Sequence, residues 1–222
     1  MMDKKKTRSE EKRDAIMCAA KQAFLEFGVQ NTSMDKLAAL AGVSKRTVYN
    51  HFASKEALVM ELLSVLWKSA ISEDELVALN KLPLQQQLVM LLCQEINVIA
   101  QPGYLDMAKV ALGHFLFKPE EWQAQTKGMS KQDTALYSWL EDQHKKGRLK
   151  LENVALARTQ LHSLIKGSAF WPQLIGSAEP LTQEQGETLA RQTAELFLSH
   201  YATAPSHHST DPSYHATTQS NV

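Results

Sequence analysis

The side chains best suited to act on another molecule crowd into one run, Ser44-Lys45-Arg46-Thr47-Val48-Tyr49-Asn50-His51-Phe52, followed closely by Ser54-Lys55. Arg46 can donate two hydrogen bonds to guanine, Lys45 can reach a base edge or a phosphate, and Asn50 can pair with adenine. Thr47, Tyr49 and His51 offer hydroxyl or imidazole donors to phosphate oxygens. Tyr49 belongs to either group, because its ring can touch a base while its hydroxyl reaches a phosphate. Enzyme chemistry has no comparable signature here. The chain has no Gly-rich phosphate loop, no His-Glu-x-x-His, no nucleophile elbow and no metal-spaced cluster. The expectation is a non-enzyme without cofactor or metal.

These side chains read DNA only if a short helix presents them. Ser44 can cap such a helix, and Val43 and Val48 have the spacing of a hydrophobic staple around that cap. Val48 and Phe52 then point inward, leaving Arg46, Thr47, Tyr49 and Asn50 on the flanks and outer side. Just upstream, Thr32 or Ser33 can cap another short helix with Met34, Leu37, Ala38 and Ala41 inside, ended by Gly42. Two short helices joined by a Gly-containing turn form a helix-turn-helix, whose second helix fits the major groove. The alternative is a buried helical hairpin with a polar outer face. The next helix opens Ser54-Lys55-Glu56, where its positive end and Lys55 can hold another phosphate. The candidate DNA-binding set is therefore Thr32, Ser33, Ser44, Lys45, Arg46, Thr47, Tyr49, Asn50, His51 and Lys55.

Charge is distributed to match. Residues 1–56 hold eleven Lys/Arg against seven Asp/Glu, and residues 57–222 hold thirteen against seventeen, so a neutral chain has a basic head on an acidic body. Apolar residues recur at three-and-four spacing almost throughout, from Ile16 through Ala19, Ala20, Ala23, Phe24 and Phe27 to a stop at Gly28. A long helix is predicted from about Ser54, with Leu58, Leu62, Val65, Leu66 and Leu76 inward. Others are predicted at about 83–101, 104–117, 130–147, 152–175 and 182–202. Pro83, Pro102, Pro119 and Pro180 fall between or at the starts of these segments. No strand alternation or hairpin signal appears, so the fold class is all-α.

Here a family resemblance becomes specific. The order Phe24-x-x-x-Gly28, Thr32-Ser-Met-Asp-Lys-Leu-Ala38, Ala41-Gly-Val-Ser-Lys-Arg-Thr-Val-Tyr-Asn-His-Phe52, Ser54-Lys-Glu-Ala-Leu58 resembles the DNA-binding domain of tetracycline-repressor (TetR) family regulators. The resemblance covers roughly residues 10–60. It implies a three-helix DNA-binding head at 1–56 and a helical body at 57–202 that dimerises and binds an effector. It also implies that Thr47, Tyr49, His51 and Lys55 fall on phosphate-contacting positions and Lys45, Arg46 and Tyr49 on base-reading ones. Asp35 departs from the pattern, standing where some members carry a basic base-contacting residue. The Lys-Lys-Gly-Arg-Leu turn at 145–149, followed by two long helices, resembles the AefR-like subgroup.

The body is less explicit. Val154, Leu161, Leu164 and Ile165, and Leu189, Leu196 and Phe197, form apolar stripes on the last two helices. Pairing with a second subunit in a four-helix bundle would cover them, and so would packing within one chain. Leu161, Leu164, Leu196 and Phe197 are the candidate dimer residues. Aromatic and methionine side chains gather in the body, either as packed core or as the lining of an apolar effector pocket. The candidate lining is Met107, His114, Phe115, Trp139, His162, Phe170 and Trp171, with the pocket near Trp139.

No apolar run is long enough to span a membrane, and the two cysteines suggest reduced thiols in a cytoplasmic, nucleoid-associated protein. Residues 203–222, with His207, His208 and His215, have the composition of a disordered tail. The combined expectation is a homodimeric regulator of double-stranded operator DNA, a repressor released from a pseudo-palindromic site by a small apolar effector. The alternative is a regulator, even an activator, governed by a partner protein or by its own abundance.

Overall fold

The first helix begins with a reciprocal cap. The Thr7 hydroxyl accepts from the Glu10 N–H, and the Thr7 N–H donates to the Glu10 carboxylate, so two donors that a helix start leaves orphaned are both satisfied. The backbone bond to Thr7 also holds the Glu10 carboxyl below its ordinary pKa. The chain is described by a computed structural model over residues 6–68, 79–126 and 135–203. Leu76 and the tail histidines His207, His208 and His215 lie outside these residues.

Four helices build the N-terminal part: α1 (Arg8–Phe27), α2 (Met34–Leu40), α3 (Lys45–His51) and α4 (Lys55–Lys68). Ile16, Ala20 and Phe24 of α1 meet Leu37 of α2, Val48 of α3, Phe52 and Leu58 of α4 in one apolar cluster. Gly28 stops α1 at φ 77°, a conformation that favours glycine. The C-terminal part comprises α5 (Leu84–Ile99), α6 (Tyr104–Phe115), α7 (Pro119–Thr126), α8 (Ala135–Lys145), α9 (Val154–Ala169), α10 (Trp171–Leu174) and α11 (Gln183–Tyr201). Its core joins Leu88, Leu92 and Ile96 of α5 to Leu140 of α8, Leu161 and Ile165 of α9, and Ala190, Ala194 and Phe197 of α11. Helix α11 runs close along α5, and a Cβ added at Gly186 would lie 3.1 Å from Ile96 Cγ2. The all-α expectation is met among the described residues, and none of their helices is long and apolar enough to cross a membrane.

Three local features differ from expectation. Helix α7 forms where none was predicted, with Pro119 pre-set for a first helical position and Glu120 and Glu121 in the first turn. The helix predicted over 152–175 breaks at Phe170, with φ −125° and ψ −61°. Pro172 has no N–H for the Ser168 carbonyl, and the Gln173 side-chain amide donates to it instead at 3.0 Å.

The third difference concerns the interface. Leu161 and Phe197, expected between copies, lie inside the chain's own core at 0% and 3% exposure. Leu161 shares its helical face with Ala157 and Ile165, and Phe197 shares its own with Ala190 and Ala194. Leu164 and Leu196 point outward instead, 38% and 61% exposed. The end of α11 is stitched to the turn before α9: Lys150 N–H donates to the Tyr201 carbonyl and Thr203 N–H to the Arg148 carbonyl.

Candidate nucleic-acid interface

Each of the two short helices starts on a serine. Ser33 Oγ accepts from Lys36 N–H at 3.2 Å, and Ser44 Oγ accepts from Thr47 N–H at 3.1 Å. The two serine caps fix where α2 and α3 begin. The turn between them uses Gly42 at φ 64°. Val48 and Phe52 are buried on the inner side of α3. The outer side therefore carries Lys45, Arg46, Tyr49 and Asn50, all exposed, with Thr47 and His51 half-buried beside them. The Thr47 hydroxyl lies 2.8 Å from that of Ser44, so the cap also orients it.

Thr32 requires a correction as a DNA contact. It is 0% exposed, and its hydroxyl donates to the Gly28 carbonyl at 2.9 Å with the Ala23 carbonyl 3.3 Å away. It ties the end of α1 to the start of α2 and offers nothing outward. A Thr32→Val variant keeps the volume and leaves those carbonyls short of a donor. The expected loss is about 1–3 kcal/mol of stability in urea unfolding. The affinity of the protein that remains folded should not change.

The cations of this region are unequally available. Lys6 pairs with Asp14. Arg13 lies 3.0 Å from Glu61 and 5.0 Å from the Phe52 ring centroid, and Lys36 sits over the Phe27 ring. Lys55 donates to the Val29 carbonyl at 2.9 Å and the Gln30 carbonyl at 3.4 Å, leaving one of its three donors. Lys45 Nζ lies 2.9 and 3.0 Å from the two carboxylate oxygens of Asp35. That hydrogen bond and the carboxylate charge raise the Lys45 pKa. Arg46, on the same outer face, has no partner among the described residues. The contact between Asp35 and Lys45 was not foreseen. Both residues lie near the N-terminal ends of their helices, and the tight Gly42 turn between those helices was the available signal.

The expected effector residues do not converge. Met107 and Phe115 are buried in the N-terminal cluster, facing α4 rather than a cavity near Trp139. Trp139 is a packed core residue whose indole N–H donates to Gln87 Oε1 at 2.7 Å, while Gln87 Nε2 donates to the Leu82 carbonyl. His114 pairs with Glu121 at 3.1 Å. His162 lies 3.2 Å from the Glu95 carboxylate. Burial pushes the neighbouring Lys166 ammonium below its ordinary pKa, although Glu95 opposes the shift. Phe170 contacts the Tyr104 ring edge-on, and Trp171 is about half exposed.

Cavities of several sizes lie elsewhere. One of about 380 Å³ is lined by Ile96, Ile99, Leu105 and Leu181 together with the charged Asp106 and Lys109. A smaller one of about 110 Å³ lies between α1, α4 and the turn before α6, where Met107 lines it with Phe24, Leu25 and Leu62.

A two-helix unit braced by α1, with the second helix turned outward and carrying Arg46, Tyr49 and Asn50, is the arrangement of a helix-turn-helix DNA-binding protein. Residues 16–62 match the family described as bacterial regulatory proteins, tetR family, and residues 86–203 match the AefR-like transcriptional repressor C-terminal domain. The chain belongs to the TetR family of bacterial transcriptional regulators. A TetR family transcriptional regulator from Pseudomonas syringae pv. tomato is 35% identical, with a TM-score of 0.64 over 87% of this chain and 98% of that one. A Mesorhizobium loti regulator, 22% identical, shares the fold with a TM-score of 0.71 over 89% of this chain and 100% of that one. The curated regulator TtgR of Pseudomonas putida is 37% identical over 82 residues, which is 34% of this chain and 39% of TtgR.

Proposed function

We propose that two copies of this chain bind a pseudo-palindromic operator, each inserting α3 into a major groove, and repress transcription until a small apolar effector releases them. The observation that carries this reading is the outward face of α3, where Arg46 stands exposed and unpaired between Lys45 and Thr47. Arg46 and Lys45 read bases in this scheme. Thr47, Tyr49, His51 and the remaining donor of Lys55 hold phosphates beside the start of α4. Ser33 and Ser44 act as caps that place those groups. Residues 1–56 form the DNA-binding head and 57–202 the dimerising, effector-binding body, in a protein of the cytoplasm and nucleoid. Dimerisation is supported by Leu156, Leu164 and Leu196, large apolar side chains left exposed on α9 and α11. The 380 Å³ cavity has the size of a small-ligand site.

The test begins with duplexes selected from a random pool by the wild-type protein. They should be pseudo-palindromes with half-sites about one helical turn, ~10 base pairs, or somewhat more apart. Arg46→Ala should lose about 1–3 kcal/mol on the selected duplex and relax preference at one position of each half-site. His51→Ala should weaken all duplexes alike. Unchanged binding by Arg46→Ala in such a titration would remove α3 as the reading helix.

A further inference from the structure

We propose that Asp35 is a specificity-determining residue that makes the DNA contact of Lys45 conditional on the base sequence. This rests on the reading of α3 as the DNA-reading helix. Asp35 stands in the first turn of α2 and Lys45 is the first residue of α3, ten positions apart and brought together by the turn at Gly42. Both carboxylate oxygens lie within 3.0 Å of Lys45 Nζ. The two side chains are 62% and 61% exposed, so the pair is screened by water and adds little to folding. A competing partner can therefore open it.

The competitor decides what Lys45 contributes. A phosphate approaching Lys45 on an arbitrary duplex also meets the Asp35 carboxylate, and repulsion between the two anions cancels much of the attraction. A duplex that places a cytosine N4 or adenine N6 amino group opposite Asp35 gives that carboxylate a donor in the major groove. Lys45 is then released to a guanine edge or a phosphate. Arg46 is the unconditional cation of this face and Lys45 the conditional one. The carboxylate thus lowers binding to the wrong sequence more than to the right one, which is where discrimination arises.

The experiment titrates wild type, Asp35→Asn, Arg46→Ala, Lys45→Met and the Asp35→Asn/Lys45→Met double variant. Each is measured against the selected duplex and a scrambled one at two salt concentrations. Asp35→Asn should bind the scrambled duplex about tenfold more tightly, with a salt slope steeper by roughly one phosphate contact per head. Its selected-to-scrambled ratio should fall by about tenfold or more, the size of one base contact. Adding Lys45→Met should cancel the gain on scrambled DNA.

Equal shifts on both duplexes, or none, would overturn the proposal, since a purely structural role for Asp35 in α2 would act on both alike. A gain that survives Lys45→Met would overturn it as well. If Arg46→Ala loses selectivity while Asp35→Asn does not, only the role of Asp35 falls. If Arg46→Ala changes nothing, the reading of α3 falls and takes this proposal with it.

Discussion

Replacing Leu164 and Leu196 together by glutamate is expected to leave a folded monomer whose affinity for the selected duplex falls by about 10²–10⁴-fold. The two leucines stand on the outer faces of α9 and α11, while Ala157, Leu161, Ile165, Ala190, Ala194 and Phe197 on the inner faces stay in the chain's own core. Two glutamates at the outer positions would be exposed in a monomer and would be buried without partners in a bundle of two copies. The monomer keeps its head, so each half-site contact survives. What is lost is the second head held at high local concentration by the first.

Sedimentation measures the assembly and a binding titration measures the affinity. A dimer that persists, or a monomer that binds as wild type does, would refute the interface. Leu161→Glu supplies the contrast, because its charge would fall inside the core and yield unfolded or insoluble protein.

The second large effect is one of stability. Trp139→Ala should cost about 3–5 kcal/mol in urea unfolding, the range for emptying an aromatic core site. Trp139→Phe should cost less, about 1–3 kcal/mol, because it retains most of the ring and strands Gln87 Oε1 without its donor. Gln87 is itself fully buried. Replacing it by Leu in the Trp139→Phe background removes both members of that pair but leaves the Leu82 carbonyl without its Gln87 donor, so only part of that loss should be recovered. If Trp139→Phe were neutral for stability but altered response to a ligand, Trp139 would return to the effector site from which its packing now removes it.

The helix-turn-helix was legible in the sequence because its determinants are local. A serine cap, a staple from Val43 to Val48 and a glycine turn each act over fewer than ten residues, and each commits the backbone before any distant contact forms. The same locality made Arg46, Tyr49 and Asn50 readable as an outer face once Val48 and Phe52 were placed inward. Periodicity also identified apolar stripes on α9 and α11, but a stripe is wide. Leu161 and Leu164 lie roughly 60° apart around a helix of 3.6 residues per turn, close enough to read as one face.

Only the packing of α9 and α11 against α5 and α8 decided that Leu161 and Phe197 turn into the chain while Leu164 and Leu196 turn away from it. Thr32, Met107 and Phe115 were misplaced for a related reason. A residue's spacing says which side of its helix it occupies, whereas the neighbour on that side depends on how the chain returns in three dimensions. The Asp35–Lys45 pair is of the same kind: two charges with no helical register in common, joined by the angle between two helices. The sequence by itself determined the helical class and the helix-turn-helix through short-range backbone chemistry. The tertiary structure decided which apolar faces remain uncovered and which cations remain unpaired, because those follow from contacts between elements far apart along the chain.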